Sequence, residues 1–261
     1  MKVLAVIGSP KGKGNTYNLV KKLEEEICAI DSSVEFEYLL LKDAGLQPCR
    51  GCFQCLEKGE HLCPLKDSRE DIEGKMQEAD GVIFASPVYV YNVSALMKGF
   101  IDRLAYICHR PCFNGKRAVV ASTTGGVGLK FTLFTLAFEV GTWGFKVVHK
   151  LGAICPPGRV SDGNKQKLMK KDQRNIGKTA RVFYNSLKET EPPKPGLIDL
   201  IAFNLRRTAF SRAEKDLADY RYWKSMGWLE EGAKYFYTVR VNAAKRLLAA
   251  FMVKLMYLVL P

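Results

Sequence analysis

The chain begins with short apolar runs that alternate with amphipathic stretches. The first run, Lys2–Ile7, contains β-branched residues and ends in a glycine-rich turn, which is typical of a buried strand. Four further runs of this kind follow, at 34–41, 80–87, 117–123 and 145–154. Because strands and helical stretches alternate in this order, the pattern predicts an α/β protein with a doubly wound, five-stranded parallel sheet and helices on both faces.

The stretches between these strands have apolar residues at helical spacing. The first ends near Ala29, and its apolar face is formed by Leu19, Val20, Leu23 and Ile27. Later helices are predicted at 68–79, 95–107 and from 129 to about 141. In the last of these, the spacing predicts a core-facing set of aromatic side chains, namely Phe131, Phe134 and Phe138.

Polar, glycine-rich loops follow the first, third and fourth strands. The first loop, at 8–16, leads directly into a helix, so backbone N–H groups and the positive end of the helix dipole are available to an anion. It has neither the Walker A residue order nor that of a dinucleotide loop. The alternative is a solvated turn in which Asn15 or Thr16 only caps the helix. Ligands of parallel sheets bind at the carboxyl ends of the strands, so the three loops are expected to form one site.

Four of the eight cysteines lie in the segment 48–64, between the second strand and the following helix. They have the spacing C-x2-C-x2-C-x7-C and are Cys49, Cys52, Cys55 and Cys63. Iron–sulfur clusters use four cysteine thiolates, often with this opening and a proline after the last cysteine. A zinc site, disulfides and free thiols are the alternatives, although zinc ribbons pair two well-separated C-x2-C knuckles. The spacing favours an iron–sulfur cluster.

The length and composition allow one large domain, or one domain with an extension. Of the 261 residues, 47% are apolar, which suffices for a packed core. The N-terminal apolar run is too short for a signal peptide, and no run reaches the roughly 18 apolar residues that span a bilayer. We therefore expect a cytoplasmic protein, in which clustered cysteines serve as metal ligands or catalytic thiols.

The net charge of +13 is concentrated in the C-terminal part of the chain. Residues 1–155 carry 19 Lys and Arg against 17 Asp and Glu, whereas 156–261 carry 21 against 10. We therefore predict a cofactor-binding domain over 1–155 and a basic helical extension over 156–261. Aromatic and basic residues are interleaved at 220–228, but no nucleic-acid-binding motif accompanies them, so no nucleic-acid partner is expected.

Helices in the extension are predicted at 164–188, 197–215 and 242–260. The last helix is apolar around most of its circumference, so it must be buried. We expect it to pack on the core of the chain or across a subunit interface. The alternative is peripheral contact with an anionic membrane, because Lys245, Arg246 and Lys254 lie beside the apolar face.

Three segments together resemble those of a known family. They are G-S-P-K-G-K-G-N-T at 8–16, S-P-V-Y-V-Y-N-V-S-A-L-M-K-G-F-I-D-R at 86–103 and T-T-G-G at 123–126. With them, residues 1–155 resemble the flavodoxin-like NADPH-dependent FMN reductases. The cysteine segment is similar to that of the iron–sulfur flavoprotein branch of this family.

The resemblance implies FMN at the three loops and a [4Fe-4S] cluster in the cysteine segment. The implied phosphate contacts are Ser9, Lys11, Asn15 and Thr16. Those around the isoalloxazine are Pro87, Val88, Tyr89 and Asn92, with Thr124, Gly125 and Gly126 on the third side. The implied cluster ligands are Cys49, Cys52, Cys55 and Cys63. The resemblance further implies a homo-oligomer, a dimer or a tetramer, that brings the cluster and the flavin of adjacent subunits together.

We therefore expect an FMN-dependent oxidoreductase in which FMN and the cluster exchange electrons supplied by NAD(P)H or a ferredoxin-like donor. Two other functions stay open. One is an electron carrier without a small substrate, and the other is a cluster-free NAD(P)H:FMN or quinone reductase with structural zinc. No catalytic acid or base is assigned, because the Tyr89 and Tyr91 side chains are equally suited to packing.

Overall fold

A central parallel sheet organises the computed structural model, which describes residues 1–158 and 162–259. Its strands are β1 (Lys2–Ile7), β2 (Glu35–Leu40), β3 (Gly81–Pro87), β4 (Arg117–Thr124) and β5 (Lys146–Ile154). They lie in the order β2-β1-β3-β4-β5, and each pairing is parallel. This is the flavodoxin-like doubly wound order, in which the strand sequence reverses between β1 and β3. The predicted fold class is confirmed.

The helices follow the sequence pattern closely in the sheet region. They are α1 (Asn15–Ile30), α2 (Gln54–Glu57), α3 (Arg69–Glu78), α4 (Ala95–Arg103), α5 (Ala105–His109), α6 (Leu129–Thr142), α7 (Asp162–Leu187), α8 (Leu197–Ser211), α9 (Ala218–Ser225) and α10 (Ala243–Val259). The single helix predicted at 95–107 is divided at Leu104, which leaves helical geometry with φ −106° and ψ 18°. The helix predicted at 197–215 ends earlier, and residue 260 of the predicted last helix lies outside the described residues.

Both faces of the sheet are buried, because successive side chains of a strand point to opposite faces. Leu4 and Val6 of β1 pack with residues of α3, α4, α5 and α6. The alternate positions of β1 pack under α1 and α7, where Phe183 of α7 is fully buried. Helix α7 therefore covers the sheet, although the sequence assigned it to the extension. The division of the chain at 155/156 stays a prediction.

The aromatic face predicted to enter the core on α6 is instead exposed. Phe131, Phe134 and Phe138 are 65%, 64% and 60% exposed. The prediction was wrong because α6 is apolar on more than one face. The face that packs on the sheet is a different one, formed by Thr132, Leu133, Leu136 and Val140.

The helices beyond α7 form a separate aromatic core. Phe203 of α8 and Trp223 of α9 are fully buried and pack with Trp228 and Phe236. Helix α10 packs on α8 through its buried Ala249 and Val253, but most of its apolar face stays exposed, namely Leu247, Leu248, Phe251, Leu255 and Leu258. Across the described ranges, no helix is long and apolar enough to cross a membrane.

Candidate functional site

The loop after β1 passes unusually close to α4. The Gly8 amide donates to the Ala85 carbonyl at 2.8 Å, and the Ser94 hydroxyl donates to the Gly8 carbonyl. A Cβ at Gly8 would lie 2.7 Å from the Cβ of Met97, which is closer than side-chain carbons approach. Glycine at this position therefore allows the loop to be held against the start of α4.

This loop presents the uncapped N-terminus of α1 at the carboxyl edge of the sheet. Gly14 is the N-cap, and no side chain there accepts from the first turn of the helix. The alternative that Asn15 or Thr16 only caps α1 is therefore not what the structure shows. Amides of a first helical turn have no partner within the helix, so α1 offers donors and a positive dipole end to an anion. Ser9 is buried beside it, whereas Lys11 and Asn15 are exposed.

Thr16 has a different environment from its neighbours in the loop. Its side chain is 1% exposed, and its Oγ1 lies 2.7 Å from Thr123 Oγ1 at the end of β4. The hydroxyl thus links the first loop to the third, and Thr16 can donate a hydrogen bond to an anion through its backbone N–H. Thr123 was not singled out from the sequence, since nothing in the pattern shows which threonines meet.

The loop after β3 is a tight turn in a strained conformation. Tyr89 and Asn92 exchange two backbone hydrogen bonds of 2.8 and 3.0 Å, and between them Val90 and Tyr91 have φ of 48° and 62°. Positive φ at both central residues is the geometry that usually selects Asn-Gly, and it is a genuine outlier for a β-branched residue. Val90 is 93% exposed, so no packing explains its strain. Strained turns of this kind concentrate at functional sites.

The loop after β4 is folded by its own threonine and lies against the strained turn. Thr124 Oγ1 donates to the Val127 carbonyl at 2.6 Å and accepts from the Gly126 amide at 3.2 Å. A Cβ at Gly128, whose φ is 89°, would lie 2.8 Å from Val88 Cγ1 and 3.1 Å from Tyr91 Cα. The second and third loops are therefore in contact.

The three loops predicted from the sequence thus occupy one edge of the sheet and are linked to one another. Pro87 and Val88 are half-buried, whereas Tyr89, Asn92, Gly125 and Gly126 are exposed. The edge combines an uncapped helix start, which suits a phosphate, with an exposed aromatic turn and a small-residue loop, which suit a flat ring system. These residues fit a monophosphate flavin.

The four cysteines of the segment 48–64 line one pocket, and its wall includes Arg103 at the end of α4. Cys49 and Cys52 are exposed, whereas Cys55 and Cys63 are half-buried. Three residues of the segment have positive φ, namely Gly51 (63°), Phe53 (58°) and Gly59 (133°). In the part of the chain that the structure describes, no three His, Cys, Asp or Glu side chains converge as on a single metal ion.

Three buried arginines stand behind this pocket. Arg69, Arg103 and Arg110 are each 5% exposed or less. Arg103 Nη1 donates to Cys63 Sγ at 3.2 Å. Burial alone would raise the pKa of Cys63, but hydrogen bonds from the Leu65 amide and from Arg103 bring it below its usual value. The pocket therefore combines four thiols with buried guanidinium groups, one of which donates to a cysteine sulfur, and this fits a centre that is held by thiolates.

Two of the arginines are held in place by a buried tyrosine. Arg69 and Arg110 each lie 5.4 Å from the ring centre of Tyr106. Arg69 Nη1 also donates to Tyr106 Oη at 2.6 Å, and the tyrosine hydroxyl in turn donates to Glu73. Burial raises the pKa of Glu73. Cation–π contacts and charge-assisted hydrogen bonds together fix the guanidinium groups below the cysteines.

Arg110 also connects the cysteine segment to the C-terminal helices. Its Nη2 donates to the Cys55 carbonyl at 2.6 Å and to Glu60 at 2.8 Å, and its Nη1 donates to Asp219 of α9 at 3.1 Å. Asp219 Oδ2 lies 2.6 Å from His109 Nδ1. We call Arg110 and Asp219, with these partners, the α9 clamp.

The sequence did not identify the arginines or the α9 clamp. Arg103 is the last residue of the quoted segment 86–103, and Asp219 lies more than a hundred residues from His109 and Arg110. A pattern search along the chain gives no signal for pairs that meet only in three dimensions. The one signal in the sequence concerns Arg103, a charged residue that ends the amphipathic helix α4; Arg69 begins α3 and Arg110 follows α5.

Known proteins resemble this chain in sequence and in fold. The NADPH-dependent FMN reductase family profile matches residues 1–149. An iron–sulfur flavoprotein of Archaeoglobus fulgidus is 31% identical over 231 residues, which cover 88% of this chain and 100% of that protein. An iron–sulfur flavoprotein of Methanocaldococcus jannaschii is 44% identical over 103 residues, 40% of this chain and 51% of that protein.

Solved structures share the fold at lower identity. The crystal structure of RosB with bound 8-demethyl-8-formylriboflavin-5'-phosphate has a TM-score of 0.58 and 14% identity, and the match covers 93% of this chain and 92% of that one. The NADH:FMN oxidoreductase EmoB in its apo form has a TM-score of 0.52 and 21% identity, covering 73% and 91%. At such identities the likeness shows the fold alone.

Proposed function

Because this chain belongs to the NADPH-dependent FMN reductase family and is a flavin-dependent oxidoreductase of its iron–sulfur flavoprotein branch, we propose that it passes electrons between a reduced donor, FMN, a [4Fe-4S] cluster and an acceptor. Bound FMN supplies two-electron and hydride chemistry, whereas a bound cluster exchanges one electron at a time. The residues of this chain bind, orient and electrostatically adjust the two centres.

We propose that FMN binds along the carboxyl edge of the sheet. The first-turn amides of α1, including that of Thr16, bind the phosphate together with Ser9, Lys11 and Asn15. The N-cap residue Gly14 makes no side-chain hydrogen bond to the first turn of α1, so the N–H groups of that turn remain available to a ligand, which supports this assignment. The ring system lies beside two sets of residues, Pro87, Val88, Tyr89 and Asn92 on one side and Thr124, Gly125 and Gly126 on the other.

We propose that the cysteine pocket binds the cluster through Cys49, Cys52, Cys55 and Cys63. One observation carries this proposal: the four cysteines of the C-x2-C-x2-C-x7-C segment line a single pocket that is backed by buried arginines. A centre with four thiolate ligands brings negative charge into the protein, and buried negative charge needs compensation. Arg69, Arg103 and Arg110 are the buried cationic groups at this pocket, and each also pairs with a carboxylate.

The two sites are separated along one helix. Ser94 at the start of α4 contacts the loop after β1, whereas Arg103 at its end lines the cysteine pocket. At a rise of 1.5 Å per residue, Ser94 and Arg103 lie about 13 Å apart along the axis of α4. Since the sites use different loops, loss of one centre is expected to leave the other bound.

We propose NAD(P)H or a ferredoxin-like protein as the electron donor and a cytoplasmic homo-oligomer, a dimer or a tetramer, as the working form. The exposed aromatic face of α6 and the exposed apolar face of α10 support association, because a monomer would leave both in water. Steady-state turnover with NAD(P)H would support the enzyme, whereas reduction by ferredoxin alone would support an electron carrier without a small substrate.

The proposal is tested by removing one ligand of the cysteine pocket. We expect Cys52→Ala to lose the iron and sulfide of anaerobically purified protein while it keeps its FMN, because the cysteine pocket shares none of the residues proposed to bind FMN. Cys28→Ala is the control, since Cys28 lies on α1 outside the pocket and should leave iron, sulfide and FMN unchanged. Equal iron and sulfide in wild type and Cys52→Ala would contradict the ligand assignment.

A further inference from the structure

Arg103 joins the cysteine pocket to a buried carboxylate. The side chains of Arg103 and Asp67 are only 3% and 2% exposed, and Nη2 of the arginine donates to Asp67 Oδ1 at 2.8 Å. Nη1 of the same guanidinium donates to Cys63 Sγ at 3.2 Å. A buried ion pair needs good geometry and further hydrogen bonds to be maintained. The guanidinium is therefore fixed between the carboxylate and the sulfur.

Backbone amides also hold the carboxylate. Asp67 accepts from the Gln47 amide at 2.9 Å and from the Arg69 amide at 3.3 Å. These backbone bonds hold Asp67, Asp67 orients Arg103, and Arg103 bonds to the sulfur of Cys63. Cys63 is the cysteine that follows the seven-residue gap, so its sulfur depends most on such support.

One donor of the guanidinium has no partner. Arg103 Nε is buried and makes no hydrogen bond to any of the residues that the structure describes. Buried donors without a partner are rare in proteins, and each one calls for an explanation. Arg103 lines the pocket together with the four cysteines, where sulfur atoms of a bound centre could accept this bond.

On the premise of the proposed cluster, we propose that Arg103 is a positioning residue that orients Cys63 and raises the reduction potential of the centre. Reduction takes one electron from the donor and adds one negative charge to the centre. A fixed positive charge with N–H···S hydrogen bonds stabilises this more negative form, as hydrogen bonds and charge near sulfur ligands do in iron–sulfur proteins.

The test is a redox titration of anaerobically purified holoprotein, followed by the paramagnetic signal of the reduced cluster. Arg103→Gln removes the charge and should shift the one-electron equilibrium about tenfold toward the oxidised form, which lowers the midpoint by about 59 mV. Arg103→Lys keeps the charge and should lower the midpoint by less than half as much. Lys75→Gln is the control, because it removes a partly exposed charge that pairs with Glu37, and neither residue lines the cysteine pocket.

If Arg103→Gln fails to fold, which would be seen as loss of FMN, a second variant takes its place in the test. Arg103→Gln with Asp67→Asn leaves no buried charge unpaired, and the midpoint of this double variant should fall in the same direction. An iron-containing Arg103→Gln protein, or double variant, with an unshifted midpoint would overturn the role of Arg103, and so would an equal shift in Lys75→Gln. Wild-type protein without iron and sulfide would instead contradict the proposed function itself.

Discussion

Asp219→Asn tests whether the C-terminal helices stabilise the cysteine segment. Asp219 belongs to α9, and its carboxylate contacts Arg110 at 3.1 Å and His109 at 2.6 Å. Arg110 in turn holds the carbonyl of Cys55. The substitution removes the negative charge of the α9 clamp while it keeps the size of the side chain.

The burial of both partners determines how much stability the substitution costs. The side chains of Arg110 and Asp219 are 4% and 9% exposed, and removing one partner of a buried pair costs about 3–5 kcal/mol. Arg110 keeps Glu60 and the Cys55 carbonyl, and the asparagine can still accept one hydrogen bond. We therefore expect a loss of about 2 kcal/mol in the free energy of unfolding, below that range.

The assay has two readouts on anaerobically purified holoprotein. Urea unfolding measures the loss of stability, and transfer of iron to a chelator measures the opening of the cysteine segment. If opening limits the transfer, a loss of 2 kcal/mol corresponds to a transfer about 30-fold faster. Asp216→Asn is the control, because Asp216 precedes α9 and is exposed. An Asp219→Asn protein that unfolds and releases iron like the control would refute the clamp.

Three further substitutions or deletions test other parts of the account. Val90→Asn should stabilise the protein by about 1 kcal/mol in thermal unfolding, because asparagine tolerates positive φ and the exposed valine loses no packing; an unchanged midpoint would show that the turn is not strained. Thr16→Val should lower the free energy of unfolding by about 1–3 kcal/mol, because it leaves the buried Thr123 hydroxyl without its partner. It should nevertheless retain more FMN on dialysis than Asn15→Ala, and the reverse order would contradict the assignment of the Thr16 backbone to the phosphate. Deletion of 242–261 should give a smaller assembly in light scattering, whereas an unchanged assembly that no longer sediments with anionic vesicles would indicate membrane contact instead.

The sheet could be predicted from the sequence because its signal is local. Each strand is a short apolar run bounded by turn residues, and the alternation with helices determines a parallel arrangement. Helix ends were less predictable, since no proline or glycine marks the break at Leu104. Arg103 turns into the cysteine pocket and Tyr106 into the arginine cluster, and a periodic pattern cannot show this.

The orientation of an apolar helix could not be predicted in the same way. Phe131, Phe134 and Phe138 share a face at core spacing, but Leu133 and Leu136 share another, and spacing alone does not say which one meets the sheet. The three strand-end loops were predictable, because the topology brings them together. The arginines behind the cysteines were not, because their partners are distant in the chain.

The metal and flavin content of anaerobically purified wild-type protein tests the central claim most directly. Two centres in separate loops predict about four iron and about four sulfide per chain, together with about one FMN and with the broad visible absorbance of an iron–sulfur cluster. Zinc in place of iron, with FMN retained, would contradict the cluster and leave a flavin reductase with a structural metal.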